Sequence, residues 1–158
     1  MDPAKIGRQL REPRAVTVRR NVHLNVMLLA NRSSDQVEEI CREAGLTHAQ
    51  YVALWVLCLA EDPSAGLPVG AVADGLLNRA SDTTRLIDRL ERAELAERFP
   101  NRDDRRGVLV RATKKGQDAF AAITPVMQAF HRRQWSNLTN DEVVELDRLL
   151  MKALWGEE

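Results

Sequence analysis

The residues of this chain that could do chemistry are concentrated in one short stretch, NRDDRRGVLVRATKKG, which runs from Asn101 to Gly116. It contains five consecutive charged residues, Arg102 to Arg106, although the formal net charge of the whole chain is zero. Such a run is compatible with solvated surface, with a grip on phosphate, or with a pair of carboxylates that exchange protons. The run by itself leaves all three interpretations open.

The acid–base interpretation requires that one of two carboxylates be desolvated, because such pairs depend on environments that separate their pKa values. Asp103 and Asp104 are adjacent in a segment with the composition of a loop, and nothing nearby in the sequence would desolvate either. The chain also lacks GxSxG, HExxH and P-loop patterns, and its three histidines are scattered. We therefore expect no enzymatic activity, no catalytic residues, no metal site and no cofactor.

The bulk composition is that of one globular domain of 158 residues, with 44% hydrophobic and 29% charged residues. No apolar run reaches 18 residues, and the N-terminus lacks the apolar core of a secretory signal, so no membrane segment is expected. The two cysteines show no CxxC spacing, which argues against a disulfide framework or a structural zinc site. Together these features predict a cytoplasmic protein.

The charges are unevenly distributed along the chain. Residues 1–20 contain six basic and two acidic residues, and all nine basic residues between Pro68 and Ala112 are arginines, set against eight acids. The planar guanidinium suits forked contacts with phosphate or base edges. High-GC codon usage is the alternative explanation for this preference.

The first half of the chain reads as helices. Apolar spacing predicts one helix over residues 18–44, closed by Gly45. Thr47 and Gln50 have the spacing of a capping box that opens a second helix, HAQYVALWVLCLAE, apolar enough to be buried nearly all round. The turn-rich DPSAGLP is then expected to be a loop. Two short helices follow, over residues 69–77 and 81–93.

The pattern then changes. LAERF and GVLVRA are strand candidates joined by PNRDDRR, which predicts a β-hairpin with a charged tip. A long helix is expected from Thr113 to about Trp135, with a kink at Pro125. A second capping box at Thr139 opens a final helix. Its inward-facing residues are predicted to be Val143, Leu146, Leu149, Leu150 and Ala153.

This order predicts a mainly α fold with a small β-hairpin wing, that is, a winged helix–turn–helix. GLTHAQYVALWVL, TTRLIDRLERAELAER and NRDDRRGVLVRATKKG, in this order and at this spacing, resemble the MarR family of transcriptional regulators over about residues 45–155. The resemblance implies a single domain spanning residues 1–158. N- and C-terminal dimerisation helices are expected at residues 18–45 and 113–155, and the DNA-binding region at residues 46–112.

The resemblance implies a homodimer that binds a palindromic site on double-stranded DNA. Most members repress genes, and many release DNA when they bind a small aromatic or phenolic ligand. The first candidate DNA-binding residues are those that match the recognition helix of the family. They include short polar residues, which let a helix N-terminus approach phosphate. The wing gives the others, with Asp104 orienting an arginine that reaches the minor groove. The candidate DNA-binding residues are Ser81, Thr83, Thr84, Arg85, Arg89, Arg98, Arg102, Asp104, Arg105 and Arg106.

The sequence departs from the family pattern at three positions. Glu94 replaces a glycine after the recognition helix, so a left-handed cap must be formed there by a less suitable residue. Asn101 replaces a usual Asp, and Asp82 stands at the tip of the recognition helix. Asp82 either caps that helix or weakens phosphate contact there.

The sequence defines the signal that would release DNA less well than it defines the DNA-binding region. By their positions in the family, the candidate ligand-binding residues are Arg20, His23, Met27, Tyr51 and Trp55, although Tyr51 and Trp55 could simply fill the core. A thiol-based redox sensor using Cys41, which we expect to be more exposed than Cys58, is an alternative. A winged-helix module that contacts proteins without binding DNA is another, and it is consistent with zero net charge and with Asp82.

Overall fold

The computed structural model describes residues 14–76, 83–101 and 107–156. Within these ranges the chain forms six helices and a three-stranded antiparallel sheet. The chain divides into two compact units, residues 1–48 and 49–158. This architecture confirms the predicted mainly α winged helix–turn–helix.

The first unit is dominated by one helix, α1 (Arg14–Glu43), which runs without a break through the polar NRSSD segment. Gly45 ends it in a left-handed conformation, with φ of +73°. The amide of Leu46 donates to the Cys41 carbonyl at 2.8 Å, and the amide of Gly45 donates to Arg42 at 3.0 Å. This pair of bonds is a Schellman motif, so the predicted glycine stop is confirmed.

The second helix, α2 (His48–Cys58), is shorter and less enclosed than predicted. It buries Ala53, Leu54 and Leu57, but Trp55 is 47% exposed. The expectation that this helix is buried nearly all round was wrong, because Ala49 and Trp55 are exposed and six further residues are only half-buried.

The DNA-binding region continues with β1 (Leu67–Pro68), α3 (Val69–Gly75) and α4 (Thr83–Arg92). The hairpin strands β2 (Ala96–Pro100) and β3 (Val108–Ala112) follow. The strand order is β1-β3-β2, so β3 is central and pairs antiparallel with both neighbours. We had predicted only loop where β1 lies; a two-residue strand shows no periodicity that sequence could reveal.

The tight turn after α4 is formed at the predicted position. Glu94 has φ of 61°, and the amides of Glu94 and Leu95 donate to the Glu91 and Leu90 carbonyls, both at 2.8 Å. The same Schellman geometry that Gly45 gives α1 is therefore made here by a residue with a side chain. A non-glycine residue in this region is strained by contact between its Cβ and the backbone.

Helix α5 (Lys114–Gln134) begins where predicted, with Thr113 as its N-cap and a bond from the Gly116 amide to the Thr113 hydroxyl at 3.1 Å. It continues through Pro125 as one helix. Gly116 is required by packing, because a Cβ there would lie 2.0 Å from the carbonyl oxygen of Leu95. The start of this helix is thus pressed against the turn that follows α4.

The last helix, α6 (Asn140–Trp155), opens with the predicted capping box: Thr139 accepts from the Glu142 amide, and Glu142 accepts from the Thr139 amide. None of its side chains is buried. Of the residues predicted to face inward, Val143, Leu146 and Leu150 are half-buried, whereas Leu149 and Ala153 are exposed, so the prediction was only partly right. Val144, Met151, Leu154 and Trp155 are exposed as well.

Candidate nucleic-acid interface

Helix α4 is divided into three faces by its 3.6-residue period. Leu86, Ile87 and Leu90 are buried and anchor the helix in the core of the second unit. A second face holds Arg85, Arg89 and Arg92, which are all exposed. Because these arginines are four and three residues apart, they lie in one stripe along the helix.

The third face is acidic and lies roughly 100° around the helix from the arginine stripe. It carries the carboxylates of Asp88 and Glu91 and, one turn earlier, the main-chain carbonyl of Thr84. All three are bonded to a single side chain, that of Arg98 on β2. The arginine and acidic faces are therefore next to each other, and the acidic one is paired across to the hairpin.

Arg98 makes four contacts with α4. Its amide donates to Oε1 of Glu91 at 3.0 Å, and its guanidinium Nη1 contacts Oε2 of the same carboxylate. The same Nη1 lies 2.7 Å from Oδ1 of Asp88, and Nη2 donates to the Thr84 carbonyl at 3.3 Å. The Arg98 side chain is only 25% exposed. The structure thus turns this predicted DNA-binding residue towards the recognition helix.

The charge of Arg98 is firmly held. Burial by itself lowers the pKa of this guanidinium, but the hydrogen bonds and charges of Asp88 and Glu91 outweigh it, and the net direction is upward. Arg98 therefore stays protonated, and its single positive charge offsets part of the two negative charges beside the arginine stripe.

A second arginine of the hairpin, Arg111 on β3, faces elsewhere. Its Nε lies 2.7 Å from Oε1 of Glu97, and its guanidinium carbon lies 4.7 Å from the centre of the Phe99 ring. Its Nη1 also donates to the Ser64 carbonyl at 3.3 Å. Arg111 thus ties the sheet to the loop before β1, where Gly66 (φ of +73°) packs against Phe99. We did not predict this role, which pairs residues 47 positions apart.

The candidates at the start of the recognition helix are only partly described. Thr83 is half-buried and begins α4, and Thr84 is exposed in the same turn. Ser81 and the departure at Asp82 lie outside the described residues. The interpretation of Asp82 as a cap therefore stays a prediction.

The wing is described at its base. The Asn101 amide donates to the Gly107 carbonyl at 3.0 Å, which extends the hairpin by one bond beyond β2 and β3. Arg102, Asp104, Arg105 and Arg106, together with Asp103, lie outside the described residues. Their DNA-binding roles stay predictions.

The candidate ligand-binding residues fall in different units. Arg20, His23 and Met27 lie on α1, whereas Tyr51 and Trp55 lie on α2 in the second unit. Tyr51 stacks on Phe120 with ring centroids 6.1 Å apart, which favours the core interpretation for this residue. A cavity of about 440 Å³ in the second unit is lined by Cys58, Asp62 and Phe120, among others, and by none of the ligand candidates.

The expected exposure of Cys41 was wrong. Cys41 is fully buried, and its burial, together with the charge of Glu38, raises the pKa of the thiol to about 11. Cys58 is half-buried, and burial raises its pKa as well. Raised pKa values reduce the thiolate fraction on which reactivity depends. This geometry argues against the redox alternative.

Other classes of site were also considered. No group of three or more potential ligands that could hold a metal ion occurs in the described part of the chain. None of the described helices combines the length and the apolar run that a membrane crossing requires.

Comparison with known proteins supports a regulatory function. No protein-family model matches the sequence. The multiple antibiotic resistance protein MarR of Escherichia coli (strain K12) is 45% identical over 76 residues, which cover 45% of this chain and 50% of that protein. The uncharacterized HTH-type transcriptional regulator YsmB of Bacillus subtilis (strain 168) is 28% identical over 115 residues, 72% of this chain and 75% of YsmB.

Solved structures agree with these relatives. A mutant of MarR from E. coli, complexed with operator DNA, superposes with a TM-score of 0.75 at 29% identity, covering 84% of this chain and 93% of that one. The structural similarity therefore covers most of both chains.

Proposed function

We propose that this chain, which is similar to transcriptional regulators of the MarR family, is a homodimeric repressor and not an enzyme. In this proposal it binds a palindromic operator in double-stranded DNA. It releases the operator when a small aromatic or phenolic ligand binds.

The observation that carries the proposal is the arrangement of α4. Its apolar face is buried, whereas Thr84, Arg85 and Arg89 are exposed along the opposite part of the helix. A major groove admits one α-helix, and arginine forks onto guanine O6 and N7 or onto phosphate. A helix anchored on one side with arginines on another is suited to this contact.

The wing supplies the second proposed contact. Strands β2 and β3, closed by the bond between Asn101 and Gly107, form the base from which the hairpin tip extends. We assign minor-groove contact to Arg102, Arg105 and Arg106, and the positioning of an arginine to Asp104. These assignments rest on the motif DDRR.

The homodimer is supported by uncovered apolar residues at both ends of the chain. On α1, Val18, Val22 and Val26 are about half exposed, and on α6, Leu154 and Trp155 are 69% and 75% exposed. Contiguous exposed apolar surface on a helix marks an interaction site. A two-fold dimer of winged helices would read two half-sites about 10 bp apart.

The proposed effector site is the least constrained part. Trp55 is 47% exposed, so an aromatic ligand could stack on its ring. Titrating aromatic carboxylic acids against the protein–DNA complex tests this part. Release by one of them that Trp55→Ala abolishes would support the site, and release that survives this change would place the ligand elsewhere.

The central experiment is binding to duplex DNA from upstream of the gene, measured by fluorescence anisotropy at several salt concentrations. Arg85→Ala should weaken specific binding by about 1–3 kcal/mol, and Arg89→Ala, if it contacts phosphate, should lower the salt slope by about one. The control is Arg132→Ala, an exposed arginine in the last turn of α5. Equal losses in all three variants would reject α4 as the recognition helix.

The wing is tested separately. Arg106→Ala should weaken operator binding, and a variant that binds as tightly as the wild type would reject the wing assignment. If the wild-type protein shifts no DNA even at low salt, the protein-interaction alternative is favoured instead.

A further inference from the structure

Arg98 makes contacts that the proposed DNA-binding role does not use. Its main-chain amide and its guanidinium both hold the carboxylate of Glu91, and the same guanidinium reaches Asp88 and the Thr84 carbonyl. These partners lie at positions i, i+4 and i+7 of the recognition helix, on one stripe over almost its whole length. A single strand residue therefore bonds to both ends of the helix that is proposed to read DNA.

The acidic stripe has an electrostatic consequence for DNA binding. Asp88 and Glu91 lie beside the exposed arginine stripe, and both side chains are about one third exposed. Left unpaired, their two negative charges would repel phosphate next to the arginines that attract it. Arg98 lies within ion-pair distance of both carboxylates.

The contacts have a mechanical consequence as well. Arg98 lies in the middle of the edge strand β2, opposite Val110 of β3, and its neighbours Glu97 and Phe99 are also paired with β3. Through its bonds to Thr84, Asp88 and Glu91, the hairpin and the recognition helix are joined as one body. The angle between the wing and the recognition helix determines whether the wing can reach the minor groove while the helix lies in the major groove.

We propose that Arg98 is a positioning residue: it masks the acidic stripe of the recognition helix and fixes the hairpin to that helix, rather than contacting DNA itself. This inference deepens the proposed function and rests on it. It is an alternative to the direct contact that the family resemblance implied. The two roles predict different results when the partner carboxylates are removed.

The experiment is a mutant cycle with Arg98→Gln in two backgrounds, the wild type and Asp88→Asn/Glu91→Gln. The probe is a duplex that the wild-type protein selects from a random-sequence pool, with a scrambled duplex of equal length as the comparison. If Arg98 acts through the two carboxylates, Arg98→Gln weakens binding to the selected duplex about tenfold in the first background. In the second background the loss falls below about threefold, because no acidic stripe remains to mask.

Direct contact predicts the opposite pattern. Arg98→Gln would then weaken binding by the same factor in both backgrounds and would lower the slope of log affinity against log salt by about 0.9. Either of these observations overturns the proposal. The proposal is supported if, in the Asp88→Asn/Glu91→Gln background, Arg98→Gln leaves the salt slope unchanged and causes the smaller loss of affinity.

A matched control is available on the neighbouring strand. Arg111 is also ion-paired, to Glu97, but it faces the loop before β1 rather than α4. Arg111→Gln should therefore change affinity for the selected duplex by less than about twofold. A loss as large as that of Arg98→Gln would show that any loosening of the hairpin is sufficient, and would overturn the specific role of Arg98.

Folding is monitored by thermal unfolding of each variant. If Arg98→Gln does not fold, Arg98→Lys replaces it, since a single ammonium keeps the charge but cannot span three partners. The proposal then expects Arg98→Lys to lose discrimination between the selected and scrambled duplexes, and full discrimination would overturn it. If the wild-type protein selects no duplex, it is the proposed function that fails, and the cycle is not reached.

Discussion

The winged region and the terminal helices use their apolar residues in opposite ways. In the region from α2 to β3, a short helix such as α4 buries three of its ten residues, and Val110 at the centre of the sheet is fully buried. Helix α6 is longer and has a complete capping box, yet it buries none of its sixteen. The winged region therefore buries apolar side chains within one chain, as does α5, whereas no residue of α6 is buried.

This difference separates the part of the chain that stabilises the fold from the part that is available for assembly. Burial of apolar surface is the main favourable term in folding, so the winged region should account for the stability of the single chain. The exposed faces of α1 and α6 contribute only when something covers them. In the proposed homodimer, that cover is a second copy of the chain.

The largest expected effect is in the core of the winged region. Leu90 is fully buried, so Leu90→Ala should lower the free energy of unfolding by about 2–5 kcal/mol. Chemical denaturation followed by circular dichroism measures this loss. Leu59→Ala is the control, because Leu59 is exposed and its loss should stay within about 0.5 kcal/mol. Similar losses of stability in both variants would contradict the conclusion that the buried core of the winged region stabilises the chain.

The next effect concerns assembly. Leu154→Asp places a charge on the exposed face of α6, and it should weaken self-association by about 2–3 kcal/mol if a second copy covers that face. Sedimentation velocity over a range of protein concentrations measures the shift from dimer to monomer. Asp147→Asn, a polar change on the same helix, should leave the distribution unaltered. A wild-type chain that sediments as a monomer would remove the proposed dimer.

The capping box of α6 should matter because the helix has little else to hold it in the single chain. Thr139→Ala should cost about 1 kcal/mol, and Thr139→Ser should restore most of it. Hydrogen bonds from Thr139 lower the pKa of Glu142, so this contribution is present above the ordinary pKa of the carboxyl group. It is lost as the pH falls through the lowered value. The difference in stability between wild type and Thr139→Ala should therefore narrow at low pH without disappearing, because the Thr139 hydroxyl still accepts from the Glu142 amide.

The smallest effects compare the two Schellman turns. Glu94→Gly should raise the free energy of unfolding by about 0.5 kcal/mol, since the relief of the left-handed strain exceeds the loss of an exposed ion pair with Lys115. Gly45→Ala should lower it by about 1 kcal/mol, purely through the backbone, because a Cβ there meets no atom within 4 Å. Thermal unfolding of the two variants tests the signs. A loss on Glu94→Gly would mean that the ion pair dominates.

Sequence was sufficient for features that depend on local chemistry. The stop at Gly45 and the capping box at Thr139 follow from residues a few positions apart, and both are present. The left-handed turn at Glu94 was predictable because the family pattern places glycine there. The hairpin strands were visible as alternating apolar residues.

Features that depend on distant contacts were not predictable. The orientation of Arg98 depends on a turn that brings β2 beside α4, and the only signal in the sequence is the spacing of Asp88 and Glu91. The pairing of Leu67 with Val110 joins residues far apart in the chain. Burial was wrongly predicted for Trp55 and for Leu149 and Ala153 of α6, because periodicity identifies an apolar face without saying what covers it.

One consequence of the bonds made by Arg98 concerns how the hairpin finds its alignment during folding. Successive residues of a strand point to opposite sides, so a slip of β2 by one position would turn Arg98 away from α4. Glu91, which is held by both the amide and the guanidinium of Arg98, would then lose both at once. The bonds between Arg98 and the recognition helix thus stabilise one register of the hairpin relative to registers shifted by one residue.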